Sequence, residues 1–251
     1  MANQLQKPLK ILLIGDSCYD EYHYGSVSRI SPEAPVPVFD LIDSEVKEGM
    51  AYNVYENLKN LGVSVDIITS FSERKNRYLD SKTGQQLLRV DQKIKPKMVD
   101  TAEEDYSSYD AVVISDYCKG FVSYEDISKI RKEFTGPIFI DTKKTDLEKL
   151  DGCYVKINQF ELAASTSLTD ELIVTYGSKK VEYKNNQYIP PLVETHDVCG
   201  AGDTFLASLV YNYCNTGTMD KAIAFAMKAA AVTVQHIGVY APTLQEIENA
   251  A

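Results

Sequence analysis

The stretch from Asp197 to Thr204 reads DVCGAGDT, and Phe205, Leu206, Leu209, Val210 and Tyr213 follow it at helical spacing. That spacing predicts a buried helix opening on a glycine turn. Gly200 and Gly202 let the backbone come close to an anion, and the free N–H groups of the first turn add the positive end of the helix dipole. Such a turn suits the charge that develops on a phosphoryl group in transfer. Asp203, in the first turn, can accept the proton of an attacking hydroxyl. Taken as residues alone, the same string also fits an ordinary glycine turn with a favourable first-turn aspartate.

Other reactive side chains are sparse. His23, His196 and His236 lie far apart without cysteine neighbours, which argues against a zinc site. Cys18, Cys118, Cys153, Cys199 and Cys214 form no CxxC pair. With no secretory signal they read as free thiols in a reducing compartment, and the chain as cytoplasmic. A net charge of −10 over 251 residues argues against a sequence-independent nucleic-acid binder. No apolar run approaches membrane-spanning length, so no membrane partner is expected.

The elements that must position these residues alternate in type. Lys10 to Ile14 (KILLI) is a continuous apolar run ending in Gly15-Asp16, a buried strand with its functional end at the aspartate. Val65–Thr69, Ala111–Ser115, Pro137–Asp141, Tyr154–Ile157 and Glu171–Thr175 read as further strands. Ala51–Asn60, Tyr124–Phe134, Ala201–Cys214 and Asp220–His236 read as helices, the last two closing the chain. Val181–Ile189 reads as a hairpin turning at Asn185-Asn186. Buried strands alternating with helices predict an α/β fold, a mostly parallel sheet covered on both faces. Segments 22–47 and 74–92 are polar and partly proline-broken, and they predict a small separate β sheet serving as a lid on a single domain, 1–251.

The signature at 197–204 resembles the C-terminal motif of the PfkB/ribokinase family of carbohydrate kinases, with Cys199 where a threonine is usual. Further blocks bring the chain nearest to the bacterial heptose 7-phosphate kinases within that family. They are Gly15 to Asp20, Tyr22 to Gly25, Ser28 to Val38 (SRISPEAPVPV), Gln85 to Asp91 (QQLLRVD), Ser115 to Gly120 (SDYCKG) and Asp141 to Asp146 (DTKKTD). The similarity runs nearly end to end and implies a ribokinase-like fold, ATP and Mg²⁺ as cofactors, a sugar phosphate as substrate, and a homodimer joined through the small sheets.

The resemblance also implies roles. Asp203 is the general base, and Gly200, Ala201 and Gly202 form the anion hole. Asn158 and Glu161 match the N-x-x-E that organises Mg²⁺ largely through water, although alone they also fit a strand end and helix cap. Thr175, Gly177 and Asp197 match the nucleotide side, the first two also fitting a plain strand-to-hairpin turn. Asp16, Asp20, Gly49 and Asn53 match the sugar side. Arg29, Lys75, Arg77, Arg89, Lys119 and Lys143 match basic positions, some of which should meet the substrate's phosphate; each alone also fits a solvated surface.

The chain departs from the family in places. Met50 replaces the second glycine of a di-glycine, Met227 stands where an asparagine near the adenine is common, and the stretches 70–74 and 161–172 are shorter than usual. The expected reaction is phosphorylation of a heptose 7-phosphate at its anomeric hydroxyl. A kinase for another sugar or a nucleoside, and a non-catalytic sugar- or nucleotide-binding protein, remain as alternatives.

Overall fold

The computed structural model describes residues 8–99 and 104–250. Its organising strand is β1 (Lys10–Ile30), whose residues Ile11, Leu12, Leu13 and Ile14 are at most 1% exposed. Strand geometry sends alternate side chains to opposite faces, so one short run feeds two cores. Ile11 and Leu13 join a cluster with α1 (Ala51–Asn60), α4 (Ala201–Thr216), α5 (Met219–Thr233) and α6 (Leu244–Asn249). Leu12 and Ile14 join a second cluster with Ile127 and Ile130 of α2 (Tyr124–Glu133) on the other face. Full burial of each such side chain contributes about 1.5–3 kcal/mol.

Among the described residues ten strands form one sheet. Its parallel part holds β3 (Ser64–Asp80), β1, β5 (Ala111–Asp116), β6 (Ile138–Thr142), β7 (Tyr154–Asn158) and β8 (Leu172–Thr175), in that order. The hairpin β9 (Val181–Tyr183) and β10 (Asn186–Tyr188) closes one edge antiparallel. The chain thus has the expected mostly parallel sheet covered on both faces.

Three expectations change. The polar strands do not make a separate sheet. β1 pairs with β5 only through Gly15↔Ser115, then runs on, and β2 (Pro37–Met50) takes over the vacated edge from Ser17↔Met50 outward. β3 continues beside β1 as far as Asp80, flanked antiparallel by β4 (Gln86–Lys93). A projecting sheet of order β2-β1-β3-β4 is therefore a continuation of the central one. The hairpin turns at Lys184-Asn185, because Asn186 already pairs with Tyr183; Lys184 takes a left-handed φ of 53°. The short closing helix α6 carries too few residues to show a clear period, and a Thr243–Glu246 capping box starts it. Among the described residues no helix is long and apolar enough to cross a membrane.

The hand-over from β5 to β2 is tight at Gly15. A Cβ there would stand 2.3 Å from the Ser115 carbonyl oxygen and 3.0 Å from the Ala51 Cβ. Neither neighbour can give way, one being sheet backbone and the other the first residue of α1. Gly15→Ala should therefore destabilise the protein by about 1–3 kcal/mol, the range for overpacking a close-packed site. A lower urea midpoint at unchanged slope reads this out; an unchanged midpoint would mean the junction is looser than its geometry.

Candidate functional site

The turn that opens α4 is stapled before the helix begins. Asp197 accepts the Cys199 N–H at 3.0 Å through one carboxylate oxygen and the Gly238 N–H at 2.9 Å through the other. Gly200 then caps α4 with φ 77°, the left-handed conformation that favours glycine, and a Cβ there would crowd the Val239 side chain at 3.1 Å. One turn on, the Thr233 hydroxyl donates to the Thr204 hydroxyl at 3.0 Å, tying the start of α4 to the end of α5. Asp197 thus spends its carboxylate on the loop backbone.

Asp203 faces inward from this turn and is 6% exposed. Asn53 of α1 donates its amide to Oδ2 at 3.0 Å, and Tyr117 donates its hydroxyl to Oδ1 at 2.9 Å. Burial pushes the Asp203 carboxyl up to about 6; the Asn53 hydrogen bond lowers it, Asp141 raises it, and Lys156 and Tyr117 lower it. A carboxylate so poised is largely ionised at neutral pH yet basic enough to take a proton. Asn53, matched to a sugar-hydroxyl ligand, here spends its amide on the base. Its helix starts from Met50, which holds φ 64° and ψ −118° with its side chain buried. The substitution thus keeps glycine's backbone shape, at a strain of about 1–3 kcal/mol.

A polar cleft opens over Asp203, walled by Tyr117, Asp141, Lys156, Asn158, Glu161 and the Gly200–Gly202 turn. Lys156 rises from β7 and is 5% exposed. Its Nζ lies 2.6 Å from Asp141 Oδ2, and a Cβ on Gly202 would stand 3.1 Å from it. Burial works against its charge, but pairing with Asp141 outweighs this and holds Lys156 above the ordinary lysine value. Asn158 and Glu161 form a capping box on α3 (Gln159–Ala164), and the other Glu161 oxygen accepts from Lys143 at 3.0 Å. The helix-cap reading and a place on the cleft wall therefore hold together. Among the described residues no group of three or more His, Cys, Asp or Glu could cage a metal. One carboxylate and one amide on the wall do fit a hydrated Mg²⁺ that takes its remaining ligands from water and phosphate.

Behind the turn lies a second, largely apolar cleft of about 460 Å³. Phe205, Met227, Ala230 and Val234 floor it, and Thr175 and Gly177 border it. Lys156, Asn158 and Gly202 line both clefts, so a molecule reaching from one to the other passes them.

The sugar-side candidates divide. Asp16 is fully buried and accepts the Tyr117 and Lys119 N–H groups, at 2.8 and 3.4 Å, through Oδ2. Register places Cys18, Asp20 and Tyr22 beside Glu73, Lys75 and Arg77, with Gly49 opposite Cys18, all on one face of the projecting sheet. There Arg77 is ion-paired with Asp20, and Glu73 holds Lys75 at 3.1 Å and Lys119 at 2.9 Å. Cys199 feels the charges of Arg77 and Asp20, so this face looks toward the 197–204 turn. Arg89 is half-exposed and clamped to Asp91 at 2.7 and 2.9 Å. Arg29 pairs opposite Val38 near the outer end, nine residues beyond Asp20, or about 30 Å at strand rise. It is not brought to the cleft.

Tyr117, Lys156 and Asp141 were not singled out by residue type. Lys156 left a trace in the sequence, a lone charge inside the apolar strand YVKI. Tyr117 and Asp141 stand in two of the resemblance blocks, SDYCKG and DTKKTD, with no role attached.

Comparison with known proteins agrees with this geometry. The solved structures most like it include ribokinase from Thermotoga maritima (TM-score 0.67, 16% identity, covering 96% of this chain and 98% of that one). Another is phosphofructokinase-2 from Escherichia coli (TM-score 0.70, 14% identity, 97% of each chain). This structural likeness establishes the ribokinase-like fold. Among curated proteins, the bifunctional protein HldE of Nitratiruptor sp. is 30% identical over 298 aligned positions, covering 96% of this chain and 64% of the relative. HldE of Hydrogenovibrio crunogenus is 31% identical, with 96% and 62% covered. The chain thus spans less than two thirds of the length of these relatives. Residues 146–246, which carry Lys156, Asn158, Glu161 and the whole 197–204 turn, match the pfkB family carbohydrate kinase model.

Proposed function

We propose that the chain transfers the terminal phosphoryl group of ATP to the anomeric hydroxyl of D-glycero-D-manno-heptose 7-phosphate, forming the 1,7-bisphosphate. The observation that carries this reading is Asp203, a buried base at the mouth of a glycine turn, with Lys156 standing between the polar and the apolar clefts. The apolar cleft suits an adenine. Gly200–Gly202 N–H groups and Lys156 meet the transferring phosphoryl group. The sugar hydroxyl gives its proton to Asp203 as its oxygen bonds to phosphorus, and the bond to the leaving ADP oxygen breaks. Positioning and charge stabilisation do most of the work in such a transfer. Mg²⁺, held through water by Asn158 and Glu161, would neutralise phosphate charge when bound. The heptose assignment rests on the Ser28–Val38 resemblance and on Lys75, Arg77 and Lys119 at the inner face of the projecting sheet, where each is paired with a carboxylate.

Asp203→Asn should lower kcat by about 100-fold or more while leaving ATP binding intact, since it removes the base but keeps the side chain's size. Coupled ADP release over a panel of sugars and sugar phosphates, with calorimetry for ATP, checks both; near-normal kcat would remove Asp203 from the mechanism.

Lys75, Arg77 and Lys119 support use of a phosphorylated sugar in a protein of net charge −10. Arg77→Ala should cost about 1.5–3 kcal/mol in kcat/KM on heptose 7-phosphate and little on the unphosphorylated sugar. Equal losses on both would return Arg77 to a structural role, and better use of the neutral sugar by the wild type would overturn the heptose phosphate assignment.

A homodimer joined through the projecting sheets is part of the same reading. Val46, Leu88 and Val90 are 45–58% exposed and lie on the sheet face turned away from the cleft. Light scattering should give twice the chain mass, and Leu88→Glu with Val90→Glu should halve it. A wild-type monomer at micromolar concentration would end this part of the proposal.

A further inference from the structure

We propose that Tyr117 is a positioning residue that joins the sugar-side carboxylate Asp16 to the base Asp203, fixing the orientation of the base and favouring its ionised form. The inference rests on the reading of Asp203 as base. Tyr117 is engaged at both ends. Its backbone N–H donates to Asp16 Oδ2 at 2.8 Å, and its hydroxyl donates to Asp203 Oδ1 at 2.9 Å. With Asn53 on Oδ2 at 3.0 Å, each carboxylate oxygen of Asp203 has one donor, and the plane of the group is set.

The segment carrying Tyr117 is anchored independently. Asp116 accepts from the Thr142 hydroxyl at 2.6 Å, from Lys144 Nζ at 2.9 Å and from the Cys118 N–H at 2.9 Å. Cys118 is held at a left-handed φ of 55°, so the backbone turns sharply directly after Tyr117. On the nucleotide side Lys143 lies over the Tyr117 ring at 5.3 Å and pairs with Glu161 at 3.0 Å. A phenol that merely filled space would need none of these attachments.

The chemistry of the contact has a direction. Burial lifts the Tyr117 hydroxyl well above the ordinary phenol value, and the carboxylates Asp203 and Asp141 lift it further, so it stays a donor throughout the working range. A donor to a carboxylate stabilises the ionised form. The charged and titratable groups facing Asp203 are Tyr117 after β5, Asp141 on β6 and Lys156 on β7; the contact from α1, Asn53, is neutral. Removing the hydroxyl therefore leaves burial and Asp141 opposed only by Asn53 and Lys156.

Tyr117→Phe tests this cleanly, because the ring, the N–H to Asp16 and the contact with Lys143 all remain. We expect kcat to fall about twofold near pH 7 and about tenfold near pH 5, with sugar KM changed less than twofold. The acid limb of the kcat profile should move up by about one pH unit, which below the limb is a tenfold change in the ionised fraction, so that raising the pH recovers most of the loss. A loss equal at every pH, with the limb unmoved, would overturn the proposal. An equilibrium readout separates this inference from the kinase assignment. Asp203 carries a folded value of about 6 against an ordinary 3.8, so its contribution to wild-type stability should fall as pH rises through that window. In Tyr117→Phe the fall should extend to higher pH, and in Asp203→Asn the further change Tyr117→Phe should no longer alter the pH dependence. Identical pH dependence of urea unfolding in wild type and Tyr117→Phe would overturn the proposal whether or not the protein turns over any sugar.

Discussion

One strand has to satisfy two sets of neighbours, and the site is arranged around where it changes them. As far as Gly15, β1 is a central parallel strand between β3 and β5, buried on both faces. From Ser17 on it is paired antiparallel to β2, in a sheet that stands partly in solvent. Asp16 falls between the two regimes. It is fully buried, and its carboxylate binds the N–H groups of the segment leaving β5. The end of one strand and the course of another are thus tied by one side chain, the pattern expected where a ligand site forms at the carboxyl ends of parallel strands.

From that junction the electrostatics follow in order. The segment held by Asp16 carries Tyr117 to Asp203, and α1, starting where β2 ends, carries Asn53 to the same carboxylate. Asp203 is lifted by burial and restrained by two donors and a nearby lysine. Lys156 is kept charged in turn by Asp141. A buried ion pair contributes little net stability once desolvation is counted. What the Lys156–Asp141 pair supplies is a fixed positive charge beside a glycine turn, ready before any anion arrives, which is the property electrostatic catalysis needs.

The parallel sheet, its helices and the glycine turn were legible in the sequence because each is written locally, as an apolar run, a period or a pair of glycines. Asn53 and Asp203 were legible as separate candidates, but their meeting across 150 residues was not. Tyr117 reaches its partner across 86 residues, and nothing local distinguishes it from the other sixteen tyrosines. The continuous apolar run of β1 ends at Gly15-Asp16 and polar residues follow it, which hides the strand's continuation, and so the projecting sheet read as a separate piece. Arg29 sits in a long block of resemblance, yet strand rise carries it away from the cleft of its own chain.

The pairing of β1 with β3 slips between Ser17 and Cys18, where the buried Ser72 hydroxyl donates to the Ser17 carbonyl at 3.3 Å. Such irregularities bend and twist a ribbon locally. Beyond it, β1 runs a further thirteen residues to Ile30, an arm of about 40 Å at ordinary strand rise. A flexure of about 10° at the slip would swing the tip by roughly 7 Å on an arm of that length, while residues beside it, such as Cys18, would shift by well under 1 Å. A bend at the slip therefore leaves the residues beside the carboxylates nearly in place and displaces the far end most. Mechanical gain of this kind comes from strand length alone, and it sets the scale of movement that any contact made at the tip can absorb or impose.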